Sequence, residues 1–338
     1  YLLAFAASTA IALLATPAVR WAARRLGMVD MPSARRINPT PVPRGGGVAV
    51  FLAFHAALYL VERFTGSMMP GVLGIHWHKI FLVASSLLLA VGLLDDALEL
   101  RPWLKLAGQI MVAVLMFGAG ARVGGVLWFP APEPLNFVFT IIWFVAIINA
   151  FNLIDGMDGL AAGLALIGSL GLATCLFARG FTHETLPLIA LAGACLGFLR
   201  YNFHPASIFL GDCGSMFLGL VLATIPLYTA GKSELMASLG VPLLVIGVPL
   251  FDAVLAIWRR SVRAALPTFA GEGARTLRVM QADTEHLHHR ILARGLTQRS
   301  AALALYTLSA GMVAVAVAGL LFKTRSAGIV ILGFLVVS

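Results

Sequence analysis

Eight aspartates punctuate this chain: Asp30, Asp95, Asp96, Asp155, Asp158, Asp212, Asp252 and Asp283. A hydropathy reading puts all eight at or near one face of a membrane. A carboxylate in or beside hydrocarbon is costly, so a one-sided gathering points to a functional site. Asp95 and Asp96 are adjacent in GLLDDALELRPWLKLAGQ. Their charges repel unless a cation sits between or beside them, and Mg²⁺ is suited to one or two carboxylates completed by water and phosphate. As a mere helix ending the pair has the wrong sign, because negative charge at a helix C-terminus opposes the macrodipole.

The segment NAFNLIDGMDGL holds Asn149, Asn152 and Asp155 at spacing i, i+3, i+6, along one helical side. Gly156 and Gly159 then re-aim the chain and are expected to bring Asp158 near Asp155. Two amides and two carboxylates ending an apolar span are hard to explain by packing, and the calcium-loop spacing DxDxDG is absent. In YNFHPASIFLGDCGS, Gly211 and Gly214 flank Asp212, so a carboxylate can reach a metal–diphosphate while N–H groups line its oxygens. Phe209 could stack on a nucleobase, although interfacial packing is the plainer reading. The loop 30–47 contains Arg35, Arg36 and Arg44 among four prolines and ends in three glycines. The arginines could grip phosphate and the glycine N–H groups could approach an anion, but an ordinary basic loop explains the charge as well. Asp252 reads equally as a site residue or as the ion-pair partner of Arg259 or Arg260. His286, His288 and His289 cannot share one helix face, so hydrogen bonds near a diphosphate fit them better than zinc.

These residues need a scaffold, and composition names it. The chain has 338 residues, 60% hydrophobic and 12% charged, with a mean hydropathy of +0.93. That excludes a soluble domain and predicts an all-α, polytopic membrane bundle forming one transmembrane domain over 1–338. Eleven spans are expected: 2–19, 46–62, 79–95, 104–120, 135–151, 160–178, 185–201, 215–230, 236–257, 301–321 and 326–338. The longest loop is expected over 258–300. Tyr1 in place of Met predicts residues upstream, and Arg20, Arg24 and Arg25 after the first run argue against a cleaved signal. Seventeen of the 24 Lys and Arg fall on the side holding Asp95, which the positive-inside rule makes cytoplasmic. The net charge of +9 therefore suits anionic lipid and anionic substrates, not nucleic acid. Cys175, Cys195 and Cys213 form no CxxC and read as small buried hydrophobes.

Taken in order, PSARR…PTPVPRGGG, GLLDDALELRPWLKLAGQ, NAFNLIDGMDGL, NFHPASIFLGDCGS and HLHHR span residues 32–290. Together they resemble the polyprenyl-phosphate N-acetylhexosamine-1-phosphate transferases, the membrane family that also includes phospho-MurNAc-pentapeptide translocase. The resemblance implies transfer of a sugar-1-phosphate, GlcNAc first among the choices, from a UDP-sugar to undecaprenyl phosphate at the cytoplasmic face of a bacterial inner membrane. It implies Mg²⁺, with Mn²⁺ as a substitute, on Asp212 and on the pair Asp95 and Asp96. It places Asp155, Asp158, Asn202 and Phe209 around uridine and diphosphate, and His286, His288 and His289 near the donor sugar. A homodimer is a further expectation. Asn38 stands where similar members often have His, and 263–282 is longer than usual. The rival reading is a transporter or flippase, but transporters hold ionisable groups near the midplane of repeated halves, and no internal repeat is visible here.

Overall fold

The computed structural model describes residues 1–31, 40–65, 75–126, 129–230, 242–265, 291–292 and 295–321. Ten helices carry these residues: α1 (Leu2–Arg25), α2 (Gly47–Thr65), α3 (Ile75–Leu98), α4 (Pro102–Gly118), α5 (Glu133–Ile154), α6 (Leu160–Ala178), α7 (Thr182–Asn202), α8 (Gly211–Ala230), α9 (Gly247–Ala265) and α10 (Gln298–Leu321). Two short antiparallel ladders accompany them: β1 (Val29–Asp30) with β2 (Val42–Pro43), and β3 (Gly125–Val126) with β4 (Phe129–Pro130). Backbone hydrogen bonds closed within helices are what a hydrocarbon setting demands.

Among the described residues eight helices are long and apolar enough to cross a membrane. The predicted span 104–120 is the shorter helix α4, begun by Pro102 at a position whose N–H needs no partner. The predicted span 326–338 lies outside the described residues. Of the expected span 236–257, residues 236–241 lie outside the described residues and the rest is interrupted. Helical residues 242–245 end in a turn at Ile246, and α9 starts afresh at Gly247 and runs on to Ala265. Gly247 fits there because a Cβ would overlap the Met312 side chain of α10. Asp252 therefore sits in the second turn of α9, 1% exposed, and not near its end. The loop expected over 258–300 is correspondingly shorter, since 258–265 and 298–300 are helical.

Helix α8 lies at the centre, with 89% of its apolar window buried against the helices around it. Phe217 of α8 meets Phe51 and Phe54 of α2 edge-on, and Trp143 of α5 donates its indole N–H to the Ala223 carbonyl at 2.9 Å. Without a hydrophobic drive between helices in lipid, close packing and such hydrogen bonds do the holding. The ends that matter converge: the N-termini of α2, α4 and α8 meet the C-termini of α3 and α5 at one face.

Candidate active site

Asp95 and Asp96 occupy the last turn of α3. Neighbours on a helix point about 100° apart, so the two carboxylates face different partners. Asp96 accepts the backbone N–H of Asp212 at 2.9 Å and of Cys213 at 3.3 Å. It thereby caps the first turn of α8, whose N–H groups have no partner in their own helix. The negative charge that opposes the dipole of α3 favours that of α8.

Glycines make this contact close. Gly211 is left-handed, φ 77°, and a Cβ on it would lie 2.5 Å from the Asp96 carboxylate. Side chains on Gly92 or Gly47 would overlap the backbone of Cys213 and Gly214. The anion approach that Gly45–Gly47 could offer is not made by Gly46 and Gly47. Their N–H groups donate to the carbonyls of Phe209 (2.9 Å) and Leu210 (2.8 Å), so these glycines serve backbone approach.

The other carboxylate looks into a cleft. Asp95 accepts the Leu100 N–H at 3.0 Å, closing a turn in which Glu99 takes φ 50°. It also accepts Lys105 Nζ at 3.0 Å. Lys105, one turn into α4, is bonded at the same time to Asp212. Two carboxylates from α3 and α8 thus converge on one ammonium. The positive charge between these two acids is the Lys105 ammonium. Sequence reading counted Lys105 only among the basic residues of its face. Its proximity to Asp95 becomes visible once α3 and α4 are seen to form a tight hairpin.

Beneath lies a layer of amides. Gln109, one turn beyond Lys105, exchanges hydrogen bonds with Asn149: Asn149 Nδ2 donates at 2.6 Å and Gln109 Nε2 at 3.3 Å. Asn152 donates to Ser215 Oγ at 3.1 Å and lies beside the Asp212 carboxylate. Asp155 caps the C-terminus of α5. Enclosure, then the charges of Asp212 and Asp96, push its carboxyl well above the usual carboxylate range, with Arg44 pulling the other way. The cleft has a volume of about 360 Å³ and is lined by Arg44, Asp95, Glu99, Lys105, Gln109, Asn149 and Asn152 among others.

The remaining predicted residues form a surrounding frame. Arg44 pairs with Asp30 where β1 and β2 close the first loop. Asp158, with a 2% exposed side chain, accepts His204 Nδ1 at 2.8 Å and the Ala206 N–H at 3.0 Å, tying the 155–159 turn to the segment that follows α7. Asn202 donates to the Ile208 carbonyl at 3.0 Å and closes that segment. Phe209 is half-buried, its N–H given to the Pro43 carbonyl at 2.8 Å. His286, His288, His289, Asp283, Arg35, Arg36 and Asn38 lie outside the described residues.

The three carboxylates expected to share a metal divide two and one: Asp95 and Asp212 converge, while Asp96 is turned to backbone. Among the described residues no three His, Cys, Asp or Glu side chains group as a metal set. The pair that remains is a donor set of the kind Mg²⁺ accepts, because that ion takes one or two carboxylates and keeps several waters and substrate oxygens.

The family model described as Glycosyl transferase family 4 matches residues 78–230. That stretch contains Asp95, Asp96, Lys105, the amide layer and Asp212. The chain is 37% identical to the decaprenyl-phosphate N-acetylglucosaminephosphotransferase of Mycobacterium tuberculosis, over 96% of this chain and 83% of that protein. It is 33% identical to the probable undecaprenyl-phosphate N-acetylglucosaminyl 1-phosphate transferase of Bacillus subtilis, over 90% and 81%. With the undecaprenyl-phosphate alpha-N-acetylglucosaminyl 1-phosphate transferase of Escherichia coli it shares 27% identity over 87% and 77%.

Proposed function

The chain belongs to glycosyl transferase family 4, and from that premise we propose that it moves N-acetylhexosamine-1-phosphate from a UDP-sugar to polyprenyl phosphate. The sugar is GlcNAc and the acceptor undecaprenyl phosphate. The products are UMP and a lipid-linked diphosphate sugar that starts a cell-surface glycan. The observation that carries the reading is the convergence of Asp95 and Asp212 on Lys105 in a polar cleft at one end of an apolar bundle. A transporter would need such groups midway along the helices.

In this reading a phosphate oxygen of the acceptor attacks the donor's β-phosphorus. The new P–O bond forms as the bond to UMP breaks. Asp95 orients the acceptor phosphate or takes its proton. Lys105, released from its carboxylates, and Arg44 offer donors to the diphosphate oxygens. Asp212 and Asp95 would hold Mg²⁺, which when bound supplies charge neutralisation to the diphosphate and the leaving UMP. Gln109 keeps the Asn149 amide in one orientation, and Phe209 offers its ring to the uracil face. The acceptor's chain stays in hydrocarbon, which is why the site sits at the end of a membrane bundle. The basic residues gathered at this face support a site on the cytoplasmic side of the bacterial inner membrane.

The test is UMP release by purified protein with undecaprenyl phosphate, Mg²⁺ and a panel of UDP-sugars. Release with UDP-GlcNAc that needs the acceptor and stops with EDTA is the expected result. Release with a different donor alone would keep the chemistry and change the sugar. Silence across the panel from folded protein would return the transporter reading.

A further inference from the structure

Tyr306 lies on α10, the helix that follows the segment bearing His286, His288 and His289. Its hydroxyl donates to the Gly159 carbonyl at 2.6 Å, across 147 residues of sequence. Gly159 is the N-cap of α6, left-handed at φ 74°, and the same carbonyl accepts the Gly163 N–H at 2.9 Å. The phenol ring lies over Gly163, where a Cβ would overlap both ring and hydroxyl. The end of the 155–159 turn is thus held from α10, while Asp158 within it is tied to His204 and Ala206.

Packing alone would call for Phe at 306. The hydroxyl adds a directional bond, and it meets the carbonyl of the α6 N-cap, where the acid-bearing turn enters the helix. Leu160, Ala161 and Ala162 are fully buried, so the first turn of α6 has no solvent side through which it could relax. A shift of this cap would carry Asp155 and Asp158 with it.

We propose that Tyr306 is a positioning residue for the donor side of the site, fixing the turn that carries Asp155 and Asp158. This rests on the transfer reading above for its kinetic consequence. A net hydrogen bond of about 1 kcal/mol corresponds to roughly a fivefold change. In Tyr306→Phe, kcat/KM for the UDP-sugar is expected to fall about fivefold. The KM for undecaprenyl phosphate should hold and the Tm should stay within about 2 °C. Gly163→Ala, which displaces the phenol, should reproduce the donor-side loss, and the double variant should lose no more than the worse single one. Amide hydrogen exchange over 155–163, measured without substrates, should quicken in both variants.

Donor kinetics equal to the parent's, or donor and acceptor parameters falling together with Tm, would overturn the assignment and leave Tyr306 a brace. If the parent protein releases no UMP with any donor, the transfer reading fails by itself. Exchange then decides the matter alone: unchanged protection over 155–163 in Tyr306→Phe removes the positioning role.

Discussion

The Asp96 carboxylate accepts the backbone N–H of Asp212, so the helix presenting Asp212 is capped by a residue from another helix. Adjacent residues in the sequence therefore have unlike duties: Asp95 faces the cleft and Asp96 holds the backbone of Asp212, the other acid bonded to Lys105. Substitution should separate them. Asp96→Ala is expected to cost about 1–2 kcal/mol of stability, the usual worth of a helix cap, while Asp96→Asn keeps one acceptor oxygen and costs less. Asp212→Asn should leave Tm close to the parent's and abolish turnover. A Mg²⁺ titration of UMP release checks the division. Residual activity in Asp96→Asn should keep the parent's half-saturating Mg²⁺, and a large shift would restore Asp96 to the metal set.

Lys105 stands between Asp95 and Asp212, and its removal leaves two facing carboxylates without a counter-ion. Lys105→Met is expected to destabilise the metal-free protein by about 2 kcal/mol, below the cost for a fully buried pair because the three side chains keep some solvent. Mg²⁺ should recover more Tm in this variant than in the parent, since the ion then has no ammonium to displace. Turnover should fall at least about a hundredfold, by analogy with loss of one oriented donor at a charged transition state. Thermal scans with and without Mg²⁺ read both effects. Equal metal shifts in parent and variant would mean the ion binds elsewhere.

Much of this was legible in the sequence because few forces gather carboxylates at one end of an apolar bundle. Asn149, Asn152 and Asp155 were found by helical spacing, and α5 does run far enough to present them there. What spacing cannot show is the partner across a helix pair. Whether Asp95 or Asp96 faces the cleft depends on how α3 is rotated against α8. Lys105 looks like any basic residue of its face until α3 and α4 fold back on each other. The glycines suggest N–H groups near an anion, whereas the structure uses Gly46 and Gly47 for backbone packing, and the two uses leave the same residue in the sequence. The break before α9 was missed because Gly247 and Pro249 sit inside a run that remains apolar on both sides.

The same glycines supply a stability test. Gly47→Ala would drive a methyl into the Gly214 backbone, where neither chain can yield by rotating a side chain. A loss of about 3 kcal/mol, the upper range for overpacking, is expected together with loss of activity, because Asp212 moves with Gly214. Gly311→Ala is the control: nothing lies within 4 Å of its Cβ position, and Ala in mid-helix should stabilise by up to about 1 kcal/mol. Unfolding midpoints of the two variants in one detergent make the comparison, and similar values would deny the close contact of α2 with α8.

Asp155 sets function against stability. Its carboxyl is held well above the usual range by enclosure and by Asp212 and Asp96, so ionising it in the folded protein is unfavourable. A raised folded pKa contributes stability that is full below the unfolded value and lost as pH rises through the folded value. Asp155→Asn removes that loss. The variant should therefore melt above the parent at neutral and alkaline pH, and the gap should close on acidification as the parent's carboxyl takes up its proton. Turnover should fall, because the transfer reading uses the Asp155 carboxylate on the donor side of the site. Melting curves across a pH series without added metal provide the measurement. A gap that widens toward low pH would show that Asp155 is ionised and paired in the folded state, the opposite of the electrostatics derived from its neighbours.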